Sequence, residues 1–120
     1  MTMKLGFTLY NFHSVIDTLD DLDNVLAKLE NMGVDTIQVS GIGFLNNYDV
    51  AKLCKKHGME VCVTHLSFDR IVNDTDAVIE EHKALGCKTV GIGWIEEKYR
   101  GEEGIKKFVA ELTPAVEKLR

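Results

Sequence analysis

Four times along this chain a short apolar run is followed by a longer stretch with apolar residues at three-and-four spacing, and the first three of those stretches stop at a glycine: Gly33, Gly58 and Gly86. The alternation leaves little spare sequence between elements, which is the pattern of successive βα units and a parallel sheet. Few other folds accommodate it.

The spacing predicts a first strand over Lys4 to Leu9 and a helix from about Thr18, with Leu19, Leu22, Val25, Leu26, Leu29 and Met32 on one face and Gly33 just past its end. Thr18 and Asp21 read as a capping pair, and Asp17, Asp20, Asp21 and Asp23 put negative charge where the helix dipole favours it. A second strand over Asp35 to Ser40 leads to a helix after Asn47 that carries Val50, Ala51, Leu53 and Cys54. A third strand covers Glu60 to His65; the polar stretch Asn73-Asp74-Thr75-Asp76 then opens a helix through Val78, Ile79, His82 and Leu85. After a fourth strand over Lys88 to Ile92, a helix from near Gly101 places Ile105, Phe108, Val109 and Leu112 on its apolar face. Pro114 is expected to break or kink it, with Thr113 capping a new start.

No linker or low-complexity segment interrupts this order, so residues 1–120 read as one domain. A hydrophobic content of 45% suits a soluble globular chain able to bury a core. Its 19 acidic and 14 basic residues are spread rather than blocked, leaving no positive footprint for nucleic acid. No run approaches the roughly 20 apolar residues of a membrane span, and no apolar signal segment follows Met1, so the expected address is cytoplasmic, away from any membrane. Cys54, Cys62 and Cys87 are an odd set without metal-like spacing and read as buried small hydrophobes. Met32 to Ile37 and Gly41 to Phe44 resemble Leu85 to Val90 and Gly91 to Trp94, a faint echo compatible with duplication of a two-strand unit.

In the second strand Thr36, Gln38 and Ser40 alternate with Ile37 and Val39. A barrel interior near its mouth accepts such a polar side, whereas an open doubly wound sheet wants both faces apolar. The expected fold is therefore α/β, a parallel (β/α)4 half of a (β/α)8 barrel. Complete barrels take about 250 residues, so truncation of a longer chain is the first explanation of the length. A homodimer joined through bare edge strands is the second.

Four blocks in order, Leu5-Gly6-Phe7-Thr8-Leu9-Tyr10, Met32 to Ser40, Glu60-Val61-Cys62-Val63-Thr64-His65 and Ala84 to Val90, resemble the xylose-isomerase-like TIM-barrel superfamily of sugar phosphate isomerases and epimerases. The superfamily also contains inosose dehydratases and endonuclease-IV-type enzymes. The resemblance spans essentially the whole chain, and implies carbohydrate metabolism: metal-assisted proton transfer next to the carbonyl of a sugar or sugar phosphate. It matches His65 to the histidine that usually ends the third strand, but puts Gln38 where a glutamate usually ends the second. It also implies a divalent metal (Mn, Mg, Co or Zn) for the full-length protein, with ligands from later strands, so none is expected on this chain alone, which would be inactive by itself. An endonuclease-IV-like nuclease draws only on His65 within Val63-Thr64-His65-Leu66, and the acidic balance counts against it.

Among individual residues His65 is the candidate catalytic group, since an imidazole at a strand's C-terminal end can bond hydroxyls or shuttle a proton. The plainer alternative is a buried histidine bonded to backbone. Tyr10, Gln38 and Trp94 are the candidate substrate-binding residues, the aromatics by stacking on a sugar ring and Gln38 by hydrogen bonding, because an amide cannot act as a base. His13 could join Tyr10 at the mouth. Asp69, Glu96 and Glu97 read as loop carboxylates that could join His65 around a metal or remain solvated charge. The pairs Gly41/Gly43 and Gly91/Gly93 lack the third glycine of a dinucleotide fingerprint and read as tight turns. His57 and His82 read as structural.

Overall fold

A computed structural model describes residues 2–120. Its four strands, β1 (Phe7–Thr8), β2 (Thr36–Val39), β3 (Glu60–Leu66) and β4 (Val90–Ile92), form one all-parallel sheet in the order β1-β2-β3-β4. The connections carry helices α1 (Leu19–Asn31), α2 (Asn47–Lys56), the consecutive pair α3 (Phe68–Asn73) and α4 (Thr75–Leu85), and then α5 (Gly101–Leu119) follows β4. This is the α/β arrangement of half a (β/α)8 barrel. Neighbouring helices pack in chain order, α1 on α2, α2 on α4 and α4 on α5, as they do when every crossover lies on one side of a sheet. The molecule measures 47 × 36 × 25 Å, its thinnest dimension being one sheet and one helix layer. Its radius of gyration is 15.5 Å, above the roughly 14 Å of a rounded domain this long.

Ile37 and Val39 turn to the helix side and are buried with Leu22, Leu26 and Leu29 of α1, Val50 and Cys54 of α2, and Leu9, Ile16 and Ile42 from the connecting segments. Thr36, Gln38 and Ser40 lie on the opposite face, as their alternation predicts. The capping box at Thr18 is formed: its hydroxyl accepts from Asp21 N at 3.2 Å and the Asp21 carboxylate accepts from Thr18 N at 2.9 Å.

Several boundaries differ from the sequence expectation. β1 keeps only Phe7–Thr8 because Thr8 caps a 3-10 turn over Leu9–Val15, its hydroxyl accepting from Tyr10 N. The stretch before the third long helix is not a loop: Ser67 caps α3, which Thr75 joins to α4 by donating to Ile71 O at 2.7 Å. Pro114 does not break α5, which runs unbroken over 19 residues. Thr113, rather than capping a new helix, donates its hydroxyl to Val109 O, and so stays within the same helical run. The predicted face of α5 is only partly the packed one, Phe108 and Leu112 being half-buried. Ile105 and Val109 are more than half exposed, and the packed face is Gly104, Phe108 and Ala115, set by an aromatic cluster in which Phe68 lies 4.7 Å from Tyr99 and 4.8 Å from Phe108. Gly104 is required there because a Cβ would run into the Tyr99 backbone. Met32 is likewise exposed, and of the three cysteines only Cys54 and Cys87 are buried. No helix among the described residues is long and apolar enough to cross a membrane.

His57 at the end of α2 fastens that helix to α1. Its Nε2 meets Asp23 at 2.5 Å and its Nδ1 meets Glu30 at 2.7 Å, while Lys56 adds a second contact to Asp23 at 2.8 Å. Hydrogen bonding to Asp23, then to Glu30, raises the His57 pKa above its ordinary 6.5; Lys56, then His57, lowers that of Asp23 below 3.8. The His57 contribution to stability is thus complete below its ordinary value and lost as pH rises through the raised one. That of Asp23 is present above its ordinary value and lost as pH falls through the lowered one. In urea melts the stability gap between wild type and H57N is expected to shrink from about pH 6 to about pH 9; a constant gap would show that the charged pair contributes nothing. Leu26→Ala, which empties a fully buried site in the centre of the core, is expected to cost about 2–5 kcal/mol.

Candidate functional site

At the C-terminal end of the strands lies a cleft of about 660 Å³ bordered by Thr8, Tyr10, Gln38, Ser40, Gly41, His65, Ser67, Asp69, Trp94 and Glu96 among others. It is on the face that the helices leave bare. His65 reaches it through an irregularity in β3. Ile37 pairs with Val61 but Gln38 pairs with Val63, so β3 contains one extra residue, a bulge. Strict alternation from the buried Val61 would turn His65 toward the helices. With the bulge, Thr64 is the one that turns inward: its hydroxyl donates to Nε2 of the buried His82, whose Nδ1–H donates to Val78 O. Cys62 and His65 face outward.

Outward-facing His65 meets Gln38 from the neighbouring strand. The Gln38 amide nitrogen lies 2.8 Å from Nε2 and 3.0 Å from Nδ1 of the ring. This polar contact ties the Gln38 amide to the His65 ring across β2 and β3. On its far side the ring rests against β4. A Cβ on Gly91 would come within 2.8 Å of His65 Cδ2, and one on Gly93 within 3.1 Å of Nδ1. These glycines are therefore not a turn but the clearance in which the imidazole sits. Gly41, at φ +75°, does the same for Tyr10, whose Cδ2 would lie 2.9 Å from an added Cβ. Gly43 touches nothing, so the two G-x-G pairs are not equivalent in space.

Tyr10 stands in the 3-10 turn after β1 and stacks on His13 at 4.6 Å between ring centroids; His13 in turn uses Nδ1 to hold Tyr10 O at 2.6 Å. His13 thus braces Tyr10 and does not border the cleft itself. Thr8 and Ser40 share a hydroxyl hydrogen bond of 3.0 Å on the cleft floor, a pair that sequence reading did not single out although both lie at strand ends. Trp94, 67% exposed, and Tyr10, 57% exposed, form the rim. The Phe68–Tyr99–Phe108 cluster fixes α3 and the segment after β4 beneath the Asp69 and Glu96 rim positions.

The structure brings His65, Gln38, Tyr10, Trp94, Asp69 and Glu96 to one cleft and leaves Glu97 outside it. Asp69 belongs to the first turn of α3, not to a loop. Among the described residues no group of three or more His, Cys, Asp or Glu side chains is arranged to hold a metal ion, and the group facing His65 is an amide nitrogen, not a carboxylate. No protein-family model matches the chain, and no curated protein matches it.

The glycine clearance is open to test. Gly91→Ala is expected to displace the His65 ring and cost about 1–3 kcal/mol, whereas Gly43→Ala should stay within about 0.5 kcal/mol. Imidazole proton and nitrogen NMR shifts read the ring position, and equal responses in the two variants would discard this account of Gly91.

Proposed function

We propose that the chain forms half of the mouth of a sugar isomerase or epimerase-type (β/α)8 barrel, and that its cleft holds the hydroxyl-bearing part of a sugar next to the carbonyl where proton transfer occurs. The observation that carries this reading is the Gln38–His65 pair, outward-facing at the C-terminal ends of adjacent parallel strands, where barrel enzymes build their sites. The His65 ring bonds a sugar oxygen or relays a proton. Gln38 keeps its carbonyl oxygen for a hydroxyl. Tyr10 and Trp94 offer ring faces to the C–H side of the sugar, a contact that needs rings exposed at a rim. The pattern of strands and the sequence blocks described above support the same class.

Titration of the chain with D-fructose and D-xylose, followed by the fluorescence of Trp94, the only tryptophan, tests the binding part. Saturable quenching is expected, weakened by about tenfold or more in H65A and in Q38L. If no sugar changes the emission, the reading fails.

A self-associating, non-catalytic half-barrel is the second reading. It is favoured by the apolar side chains exposed on the first and last units: Met3 and Leu5 just before β1, and Ile105 and Val109 on α5. Both outer strands also pair on one side only within the described residues. Sedimentation equilibrium decides it. A dimer that Val109→Glu dissociates supports edge-to-edge closure, and a monomer at all concentrations removes it.

A further inference from the structure

The charge around the cleft narrows the class of sugar, and this inference rests on the sugar-binding reading above. Among the described residues, the charged side chains on the cleft wall besides the His65 imidazole are Asp69 and Glu96, both acidic. The basic side chains beside them in sequence are each paired with a carboxylate. Arg70 donates to Glu81 Oε1 at 2.6 Å, in a link from α3 to α4 that Asn47 of α2 completes by donating to the other oxygen at 2.7 Å. Lys98 pairs with Glu96 itself at 3.2 Å and lies 4.9 Å from the centre of the Tyr99 ring. Asp69 itself stands in the first turn of α3, whose capping hydroxyl on Ser67 accepts from Arg70 N.

We propose that this cleft selects the unphosphorylated form of its sugar or polyol. Carboxylates accept hydrogen bonds from two hydroxyls each without charge conflict, and exposed aromatic rings suit a neutral ring with an apolar face. A phosphate dianion in the same cleft meets the Asp69 and Glu96 carboxylates, of which Lys98 offsets only Glu96. Repulsion at hydrogen-bonding range near a protein surface amounts to about tenfold or more in affinity.

The test uses the whole chain at low ionic strength, where such charges are least screened, and the Trp94 emission. D-fructose is expected to bind about tenfold or more tightly than D-fructose 6-phosphate, and the gap should narrow in the D69N/E96Q double variant, which also releases Lys98. Inorganic phosphate alone should produce no saturable change in wild type. Equal or tighter binding of the phosphorylated sugar, or saturable binding of phosphate, overturns the proposal. Should fructose fail to bind, the sugar-binding reading falls, yet the phosphate titration still judges the charge selection without relying on any variant.

Discussion

One extra residue in the middle strand decides what this sheet presents to solvent. Without the offset between Ile37–Val61 and Gln38–Val63, the period-two geometry of a strand would send His65 into the helix layer and Thr64 out. The bulge exchanges them. The hydroxyl goes inward, where His82 satisfies it, and the imidazole goes outward, where Gln38 meets it. A buried polar side chain without a partner costs more than a hydrogen bond returns, so the Thr64–His82–Val78 chain of bonds also holds the bulge in place. The two faces of β3 are therefore specified together: a change that loosens the inner bond should be felt by the outer histidine.

The rest of the site follows from clearances rather than from attractive contacts. His65 lies flat against bare backbone because β4 carries glycine at 91 and just beyond at 93, and Tyr10 approaches the chain after β2 because Gly41 has no side chain to meet it. Core packing supplies the rigid ground beneath. Leu22, Leu26 and Leu29 press Ile37 and Val39 from below, which leaves Gln38 between them with only one way to face. On the other flank three aromatic rings lock the chain after β4, so that the rim is positioned by burial even though its own residues are wet.

Much of the fold was legible from the sequence. Hydrophobic period, helix-ending glycines and the Thr18–Asp21 cap located the strand and helix pairs, since each is a local signal with a local cause. The errors arose where a distant element overrode a local one. Ile105 and Val109 have helical spacing appropriate to a core, but the packed side of α5 is dictated by Tyr99 and Phe68, which the helix's own pattern cannot reveal. Pro114 carries a strong breaking signal, yet α5 continues through it as one helix. For the site, strand ends pointed to Tyr10, Gln38, His65 and Trp94. The bulge that orients His65 left no mark in the alternation, because Val61, Cys62 and Val63 are all apolar. Nor could the glycines be recognised as clearances without knowing which ring lies opposite each.

Cys62, the residue beside that bulge, has a consequence of its own. Cys54 and Cys87 are buried, and burial pushes the Cys54 thiol up to about 11, so neither offers an accessible thiolate. Cys62 sits exposed in a second depression with Thr8, Thr36 and Glu60, on the same bare face as the cleft, its sulfur directed to Ile37 O at 3.3 Å. Whatever covers that face must bury this sulfur. The chain thus carries a built-in attachment point for a thiol-directed label, whose reactivity registers whether the inner wall of the sheet is open to water or enclosed.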